Sequence, residues 1–319
     1  MTYDVTAIGE LLIDFSAQGA DADGYPTMKA NPGGAPGNFL AALSAYGCKT
    51  AFLGKVGGDA FGRLLLGTVG AAGIETKGIA VDPEVFTTLA FVTFDAHGER
   101  SFSFARKPGA DTRLTWEEID KSIIDGSRVF HFGTLSLTDE PARTATRRAV
   151  AYAKEKGKLI TCDPNLRKPL WRSGDEAREQ ILWSVKQADV VKISDEELEF
   201  LWGCTPEEGA GRLLGECGVK LAMVTLGPKG CLLKNAAARC EAQGPKVSPV
   251  DTTGAGDIFG GSAVYRLLRL GKAPEALDQE ELEYIARFAA TAASLSTEKY
   301  GGIPSIPDIE TVTAHMRQN

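Results

Sequence analysis

The stretch Ser-Pro-Val-Asp-Thr-Thr-Gly-Ala-Gly-Asp-Ile-Phe-Gly-Gly occupies residues 248–261, and the interpretation of the whole chain starts from it. The short run 246–250 favours a strand, the glycines predict a turn, and the amphipathic run 258–270 predicts a helix. Gly254 and Gly256 carry no β-carbon, so their backbone can adopt positive φ or approach a ligand closely. The unpaired N–H groups and the positive dipole end of the following helix would then attract an anion, most naturally a phosphate.

Asp257 stands at the start of this predicted helix, where a carboxylate would repel a bound phosphate. It is ionised at neutral pH unless burial raises its pKa well above ~3.9. A carboxylate in this position is explained if it takes a proton from an attacking hydroxyl group. An isolated Gly-x-Gly-Asp would be explained more simply as a turn followed by a helix cap, so the interpretation depends on the longer string.

The composition excludes several classes of protein. The chain has 319 residues, of which 43% are hydrophobic and 24% charged, as is usual for a globular protein. Its net charge of −7 disfavours a nucleic-acid or anionic-membrane partner, although local N–H groups and a metal can still hold ATP. No run approaches the ~18 apolar residues of a membrane span, and the N-terminus lacks the features of a signal peptide. Six cysteines without a Cys-x-x-Cys pair and three scattered histidines argue against structural zinc, so we expect a cytoplasmic protein with reduced thiols.

Strand and helix patterns alternate regularly in the C-terminal two thirds of the chain. Strands are predicted at 129–132, 159–163, 190–193 and 220–226, and helices at 140–156, 175–187, 195–202 and 206–216. Such alternation implies right-handed crossovers and a parallel sheet with helices on both faces. No long linker interrupts it, so residues 1–319 are predicted to form a single domain.

The N-terminal third departs from this rhythm. A buried strand is predicted over Val5–Phe15, with the lone acid Asp14 at its end, and further elements are predicted as a helix at 39–46, a strand at 51–56 and a helix at 60–72. The segments 87–94 and 100–104 alternate like a half-exposed hairpin turned by 95–98. We expect a small β-sheet lid formed by about 12–30 and 86–108.

Nearly all the candidate residues follow the C-terminal end of a predicted strand. They are Asp14, Asp163, Asn165, Ser194, Thr225, Gly227 and the turn 254–257. Ligands of open parallel sheets bind along that edge. The residues are therefore expected to converge in space although they span most of the sequence.

Three motifs resemble one family. Asp-Thr-Thr-Gly-Ala-Gly-Asp at 251–257 resembles the C-terminal signature of ribokinase-like (PfkB) carbohydrate kinases, and Gly-Gly-Ala-Pro-Gly-Asn at 33–38 resembles their N-terminal signature. Asp-Pro-Asn-Leu-Arg at 163–167 closely resembles the Asp-Pro-Asn-x-Arg string of fructokinases. The resemblance implies an α/β fold, the ribokinase-like three-layer α/β/α sandwich with a mostly parallel sheet plus a small β-sheet lid. It also implies an ATP-dependent sugar kinase, most like a fructokinase, that phosphorylates a primary hydroxyl of fructose.

The same resemblance implies roles for individual residues. Asp257 would be the catalytic base, with an anion hole formed by the amides of Gly254, Ala255 and Gly256. The sugar would be held by Asp14, Gly33, Gly34, Asn38, Arg106, Asn165 and Arg167. ATP and Mg²⁺ would be held by Lys192, Ser194, Glu197, Thr225 and Gly227, although serine replaces the family's asparagine at Ser194. A monovalent cation such as K⁺ would be held by Asp251, Thr253, Ser296, Lys299, Gly301 and Ser305, and family likeness also suggests a homodimer through the lid.

Alternatives stay open at this point. Residues 194–197 also form a good capping box for a helix, and a single arginine such as Arg106 is usually a solvated surface residue. Another sugar such as 2-keto-3-deoxygluconate or ribose would use the same machinery. A Rossmann dehydrogenase is disfavoured because Phe259 stands at the third glycine position of its fingerprint, and a non-catalytic sugar sensor because Asp257 is intact.

Overall fold

The computed structural model describes residues 2–94 and 100–318. Fourteen strands lie among these residues. They are β1 (Tyr3–Ile8), β2 (Leu12–Ala20), β3 (Pro26–Gly33), β4 (Thr50–Gly57), β5 (Ile74–Glu75), β6 (Ile79–Asp82), β7 (Leu89–Phe94), β8 (Arg100–Ala105), β9 (Ser127–Gly133), β10 (Leu159–Asp163), β11 (Val190–Ser194), β12 (Leu221–Thr225), β13 (Cys231–Asn235) and β14 (Arg239–Ala242).

Ten α-helices connect and cover these strands. They are α1 (Ala35–Ala45), α2 (Ala60–Ala71), α3 (Lys121–Asp125), α4 (Ala142–Glu155), α5 (Gly174–Gln187), α6 (Asp195–Trp202), α7 (Pro206–Cys217), α8 (Ala255–Leu270), α9 (Gln279–Ser296) and α10 (Ile309–Gln318). Within the described ranges, no helix combines the length and the apolar character that crossing a membrane requires.

The large sheet has the strand order β14-β13-β12-β11-β10-β9-β1-β4-β5, with β6 also pairing with β4. The pairings from β12 to β5 are parallel, whereas β13 and β14 add an antiparallel hairpin at one edge. The parallel sheet predicted from the alternation of strands and helices is therefore confirmed. The edge hairpin was not predicted.

Helices cover both faces of this sheet. One buried cluster joins its strands to α3, α4, α5, α6 and α7. Two clusters on the opposite face join the strands to α1, α2, α8, α9 and α10. The predicted three-layer α/β/α arrangement is confirmed, and each layer is held by apolar residues that the strands present alternately to the two faces.

A separate four-stranded sheet has the order β3-β2-β7-β8. Phe15 of β2 stacks on Phe91 of β7 with ring centroids 5.3 Å apart, and packs edge-on against Phe61 of α2 at 5.5 Å. The first contact lies within the small sheet, and the second packs one face of that sheet against α2. The strands predicted at 87–94 and 100–104 are confirmed, while the turn predicted at 95–98 lies outside the described residues.

Three local predictions were wrong. The apolar run Val5–Phe15 is not one strand, because the chain leaves the large sheet after Ile8 and enters the small sheet at Leu12; apolar composition does not show a change of partner strand. Asp14 therefore lies within a strand of the small sheet and not beyond a strand of the large one.

The run 246–250 is not a strand, since Pro245 and Pro249 have no N–H group to donate to a ladder. The helix predicted at 39–46 begins earlier, at Ala35, which places Asn38 in its first turn.

Candidate active site

The glycine turn before α8 is closely packed on both sides. Gly254 has φ +79°, and a β-carbon there would lie 2.9 Å from the α-carbon of Gly302. A β-carbon on Gly256 would lie 2.9 Å from Nζ of Lys192. At Gly254 the neighbour is backbone and φ is positive, so glycine is required there, and the first turn of α8 leaves N–H groups without acceptors in the helix. The turn therefore brings helix N–H groups and an ammonium group to one place, which suits an anion.

Asp257 lies in the first turn of α8 and is half-buried. Its Oδ2 accepts a hydrogen bond of 2.9 Å from Nδ2 of Asn38. Burial raises the pKa of Asp257 above its ordinary value, whereas the hydrogen bond from Asn38 and the charges of Lys192 and Arg167 act in the opposite direction. The carboxyl group is thus held in one orientation with a basicity higher than that of an exposed aspartate, as a general base requires.

Lys192 and Asp163 form a buried ion pair below the turn. Nζ of Lys192 lies 3.0 Å from Oδ2 of Asp163, while Oδ1 of Asp163 is buried without a hydrogen-bond partner. Burial alone would lower the pKa of Lys192, but the carboxylates of Asp163, Glu197 and Asp257 raise it. The ammonium group is therefore charged at neutral pH.

Glu197 joins two loops at the same edge of the sheet. Its Oε2 accepts from the backbone N–H of Ser194 at 2.8 Å, and its Oε1 accepts from the N–H of Leu166 at 2.7 Å. Oγ of Ser194 in turn accepts from the N–H of Glu197 at 3.2 Å, so the capping box proposed as an alternative is confirmed. Glu197 thereby fastens the Asp-Pro-Asn loop to the start of α6.

Asp14 of the small sheet faces the same region. Its pKa is raised to about 6 by burial, with opposing attraction from Arg167 and further repulsion from Asp257 and Asp251. A β-carbon on Gly33 would lie 2.2 Å from Oδ2 of Asp14, so the glycine gives this carboxylate its space. Carboxylates from the small sheet and from α8 are therefore brought within electrostatic range of each other and of one arginine.

Gly34 and Asn165 adopt backbone conformations that are unusual for most residues. Gly34 precedes α1 with φ +117°, and a β-carbon there would lie 2.4 Å from the carbonyl oxygen of Glu10. Asn165 has φ +49°, the only positive φ of a residue other than glycine among those described. Strain of this kind concentrates in segments whose side chains must point in a particular direction. Both loops lie next to the predicted site.

Arg106 is buried, not solvated as its alternative interpretation held. The residue is 4% exposed. Its guanidinium donates to Oδ2 of Asp111 at 2.7 and 2.9 Å, to Oγ1 of Thr138 at 2.6 Å and to the carbonyl of Leu135 at 2.9 Å. These bonds anchor the end of the small sheet to the large domain. The predicted contact of Arg106 with the sugar stays a prediction.

Thr225 and Gly227 lie at the end of β12. Thr225 is the register partner of Ser194 on the neighbouring strand β11. Gly227, with φ +55°, begins a short 3-10 turn over Gly227–Lys229. The sheet thus places Thr225 beside the start of α6, with Gly227 two residues further on, and their contact with a nucleotide stays a prediction.

The residues predicted for a monovalent cation lie on two adjacent loops. Oδ1 of Asp251 accepts from the N–H of Thr253 at 3.0 Å, and Oδ2 accepts from the N–H of Gly301 at 3.0 Å. The carbonyl of Ser296 accepts from the N–H of Lys299 at 3.3 Å in the turn after α9. Ser305 is buried behind this turn, with its Oγ bonded to the carbonyl of Gly302 at 2.8 Å.

Glu10 and the pairing role of Asp163 were missed at the sequence level. Glu10 is 2% exposed, and its Oε1 accepts from the N–H of Ala35 at 3.0 Å, which caps the start of α1. Burial raises the pKa of Glu10 to about 7, although the Ala35 bond lowers it. The available signal was a lone glutamate inside an apolar run, since such a residue needs a partner when buried.

A cavity of about 630 Å³ opens between α2 and the end of the small sheet. Its lining includes Phe61, Phe86, Leu89, Phe104, Arg106 and Lys107. Arg106 is the one predicted site residue in this lining, so the cavity is not the point at which the other candidates converge.

Comparisons with known proteins agree on one family. The profile of the pfkB family carbohydrate kinases matches residues 3–309. The chain is 43% identical over 307 residues to fructokinase-1 of Zea mays, covering 95% of this chain and 94% of that protein. It is 41% identical over 306 residues to fructokinase-2 of Solanum lycopersicum, covering 95% and 93%.

Solved structures give the same result. The fold matches that of a fructokinase with bound ATP from Xylella fastidiosa with a TM-score of 0.91 and 29% identity, covering 100% of this chain and 99% of the other. It matches a fructokinase from Vibrio cholerae O395 in a fructose-, ADP- and calcium-bound form with a TM-score of 0.86 and 33% identity, covering 99% and 100%.

Proposed function

Because the chain belongs to the pfkB family of carbohydrate kinases, we propose that it is an ATP-dependent fructokinase that converts D-fructose to fructose 6-phosphate. The observation that carries this function is the Asp257 carboxyl, held by Asn38 at the N-terminus of α8 and above the charged Lys192. A base, helix N–H groups and a cation at one point suit phosphoryl transfer to an alcohol. Fructose is favoured over other sugars because the chain is similar to fructokinases, and the similarity covers almost the whole length of both proteins.

In the proposed reaction Asp257 accepts the proton of the attacking primary hydroxyl. The N–H groups of Gly254, Ala255 and Gly256 and the ammonium group of Lys192 stabilise negative charge on the phosphoryl group in transit. These groups are fixed before the substrates bind, so little reorganisation is needed at the moment of reaction. General-base action of this kind is typically worth ~10²–10⁴ in rate.

The sugar is proposed to lie between the small sheet and α8. Asp14 and Arg167 offer an acceptor and a donor for hydroxyl groups, and Asn165 offers both in one amide side chain. Gly33 and Gly34 allow the backbone to come close to the ring. The small sheet, over about 12–30 and 86–108, would act as a lid that excludes water, since otherwise hydrolysis of ATP would compete.

The carboxylates around the ion pair fit Mg²⁺. The buried Oδ1 of Asp163 has no partner, and Glu197 lies close enough to influence the charge of Lys192. Hard oxygen ligands of this type suit Mg²⁺, which usually takes its remaining ligands from phosphates and water. The described part of the chain has no group of three or more acidic, histidine or cysteine side chains arranged for a metal, so the protein would supply few of the ligands itself. Bound Mg²⁺ would neutralise the developing charge on the phosphates.

The loops of Asp251 and Gly301 are proposed to bind K⁺. The donor set that they offer consists of one carboxylate, hydroxyl groups and carbonyl groups, which suits a large, weakly hydrated cation. The hydrogen bond between Asp251 and the N–H of Gly301 already holds the two loops together. A bound cation would therefore stiffen the segment that leads directly into the glycine turn.

A homodimer through the small sheet and a cytoplasmic location complete the proposal. Tyr25 beside β3 is 69% exposed, and Phe86 before β7 is 74% exposed, which leaves apolar surface for a second copy. The six cysteines are all free thiols, as expected in a reducing compartment. Light scattering during gel filtration tests the dimer, and a mass equal to one chain would contradict it.

A sugar panel tests the catalytic proposal. Fructose, ribose and 2-keto-3-deoxygluconate are each incubated with Mg-ATP, and ADP release is followed by a coupled assay. We expect fructose to give the highest kcat/KM and Asp257→Ala to abolish most turnover under the same conditions. Preference for another sugar would replace fructose as the substrate, whereas sugar binding by calorimetry without ADP release would indicate a sensor and refute the kinase.

A further inference from the structure

Glu10 lies in the short connector between the two sheets. The connector, residues 9–11, joins β1 of the large sheet to β2 of the small sheet. Glu10 is 2% exposed, and its Oε1 accepts a hydrogen bond of 3.0 Å from the N–H of Ala35, the first residue of α1. Because a carboxyl group buried to this extent needs a bonded partner, this contact is a requirement of the fold. The side chain therefore ties the connector to the start of α1.

The backbone of the connector touches the same helix start. A β-carbon on Gly34 would lie 2.4 Å from the carbonyl oxygen of Glu10 and 3.1 Å from the α-carbon of Leu11. A β-carbon on Gly9 would lie 2.6 Å from Cγ of Pro36. Each connector residue is thus in close contact with the start of α1, so a change in the connector is passed on to that helix.

The start of α1 differs from other helix starts in where its acceptor comes from. The helices α2 and α9 are capped by the side chains of their own N-cap residues, Asp59 and Asp278. In α1, which lies wholly within the described ranges, the N-cap residue is Gly34 and the first turn contains no acidic residue. Glu10, 25 positions earlier in the chain, supplies the acceptor instead. A negative group at this end of a helix also suits the helix dipole.

We propose that Glu10 is a positioning residue for sugar binding, which acts through its hydrogen bond to Ala35 to hold the start of α1 in place. The segment that it holds carries Gly33, Gly34 and Asn38, which the family resemblance assigns to the sugar. Loss of the hydrogen bond would let this segment move relative to the small sheet and weaken sugar binding. The inference rests on the proposed kinase function, because it takes this segment as part of the sugar site.

Two charged groups face Glu10 from the segment that follows β8. They are Arg106 and Asp111, and the guanidinium of Arg106 already donates to Oδ2 of Asp111 at 2.7 and 2.9 Å. Burial raises the pKa of Glu10 to about 7, whereas backbone N–H groups, including that of Ala35, lower it. Since Arg106 is paired with Asp111, the contact that Glu10 makes with α1 depends on its acceptor oxygen. A neutral amide oxygen can accept the same bond.

The variants Glu10→Met and Glu10→Gln separate the hydrogen bond from the volume of the side chain. Methionine is of similar length but has only a weak acceptor, so we expect the KM for fructose to rise roughly 10-fold or more. The KM for ATP should stay at the wild-type value, because the nucleotide is proposed to lie against the ends of β11 and β12. Glu10→Gln keeps the acceptor and should restore the KM for fructose. The coupled ADP assay, with each substrate varied in turn, measures both constants, and calorimetry measures sugar binding directly.

Ala35→Pro removes the donor of the same hydrogen bond without changing Glu10. Proline is favoured at the first position of a helix, so α1 should still form. We expect the same rise in the KM for fructose, and no further rise when Ala35→Pro is added to Glu10→Met.

The matched control is Asp278→Ala at the start of α9. Oδ1 of Asp278 accepts from the N–H of Glu281 at 3.0 Å, so this variant also loses a carboxylate cap. It should melt roughly 1–4 °C below the wild type and keep the wild-type KM for fructose. The control therefore separates a loss of stability from a loss of sugar positioning.

The outcomes distinguish this inference from the proposed function. If wild-type protein phosphorylates fructose but Glu10→Met keeps its KM for fructose, or raises the KM for ATP by the same factor, the positioning role is wrong. Failure of Glu10→Gln to restore the KM would also overturn it. If another sugar is phosphorylated, the fructokinase assignment fails, while a raised KM for that sugar in Glu10→Met still supports the role of Glu10. Circular dichroism melts confirm that folded protein is compared, and Ala35→Pro decides the question if Glu10→Met does not fold.

Discussion

Replacing Lys192 by methionine should affect folding and catalysis through one buried ion pair. Nζ of Lys192 lies 3.0 Å from Oδ2 of Asp163, and the two side chains are 10% and 8% exposed. Removing the lysine leaves a buried carboxylate whose other oxygen already has no partner. Breaking a buried pair in this way costs about 3–5 kcal/mol. At roughly 2 °C per kcal/mol for a chain of this size, Lys192→Met should melt about 6–10 °C below the wild type.

The pH dependence of that loss has a definite sign. Burial already raises the pKa of Asp163 to about 7, against the lowering effect of Lys192, so removing Lys192 raises it further. A carboxyl group with a raised pKa in the folded state loses stability as the pH rises from the unfolded pKa, near ~3.9, to the folded one. The Lys192→Met variant should therefore be closest to the wild type in acid and furthest from it above neutrality.

The double variant Asp163→Asn/Lys192→Met is the matched control. Neutralising both partners removes the unpaired charge, so most of the lost melting temperature should return. Turnover should not return, because the positive charge beneath Gly256 is still missing. Thermal melts at about pH 5 and about pH 8, on either side of the Asp163 pKa, together with the coupled ADP assay, measure both effects. Equal melting of the single and double variants, or wild-type kcat in the double variant, would refute this reasoning.

Three further predictions concern groups around the same turn. Asp257→Ala should lower kcat by at least ~10²–10⁴ with a native circular dichroism spectrum, and near-normal turnover would remove its assignment as the base. The KM for fructose should rise as the pH falls below about 6, where Asp14 becomes protonated, and Asp14→Asn should flatten this dependence; an unchanged profile in the variant would exclude Asp14 as its source. Activity should be higher in potassium than in tetramethylammonium buffer, and this difference should disappear in Asp251→Ala; equal wild-type rates in both buffers would exclude the cation site.

The large sheet could be predicted because its signal is local and repeated. Each parallel strand is a short apolar run, and each crossover helix shows its own period, so the order of elements predicts the layers. The predictions for Val5–Phe15 and for 246–250 were wrong because the local residue pattern does not indicate which strand, if any, a segment pairs with. In the first case two apolar strands follow each other in different sheets, and in the second an extended segment is held by the end of α9, where the N–H of Val250 donates to Thr297 at 2.7 Å.

Which side chains meet at the site could not be predicted from spacing, because that depends on the glycines between them. The sequence indicated that Gly256 allows close approach, and a phosphate was the natural candidate. The structure adds an approach from below, where Nζ of Lys192 would lie 2.9 Å from a β-carbon on this residue. Gly256 thus lies against a cation and at the same time within the first turn of α8, where N–H groups have no acceptor in the helix. Gly302 acts likewise for Asn38, which meets an aspartate 219 positions away in the chain. A glycine motif therefore predicts where another group comes close to the backbone. Which side chain or ligand that group is depends on the three-dimensional fold.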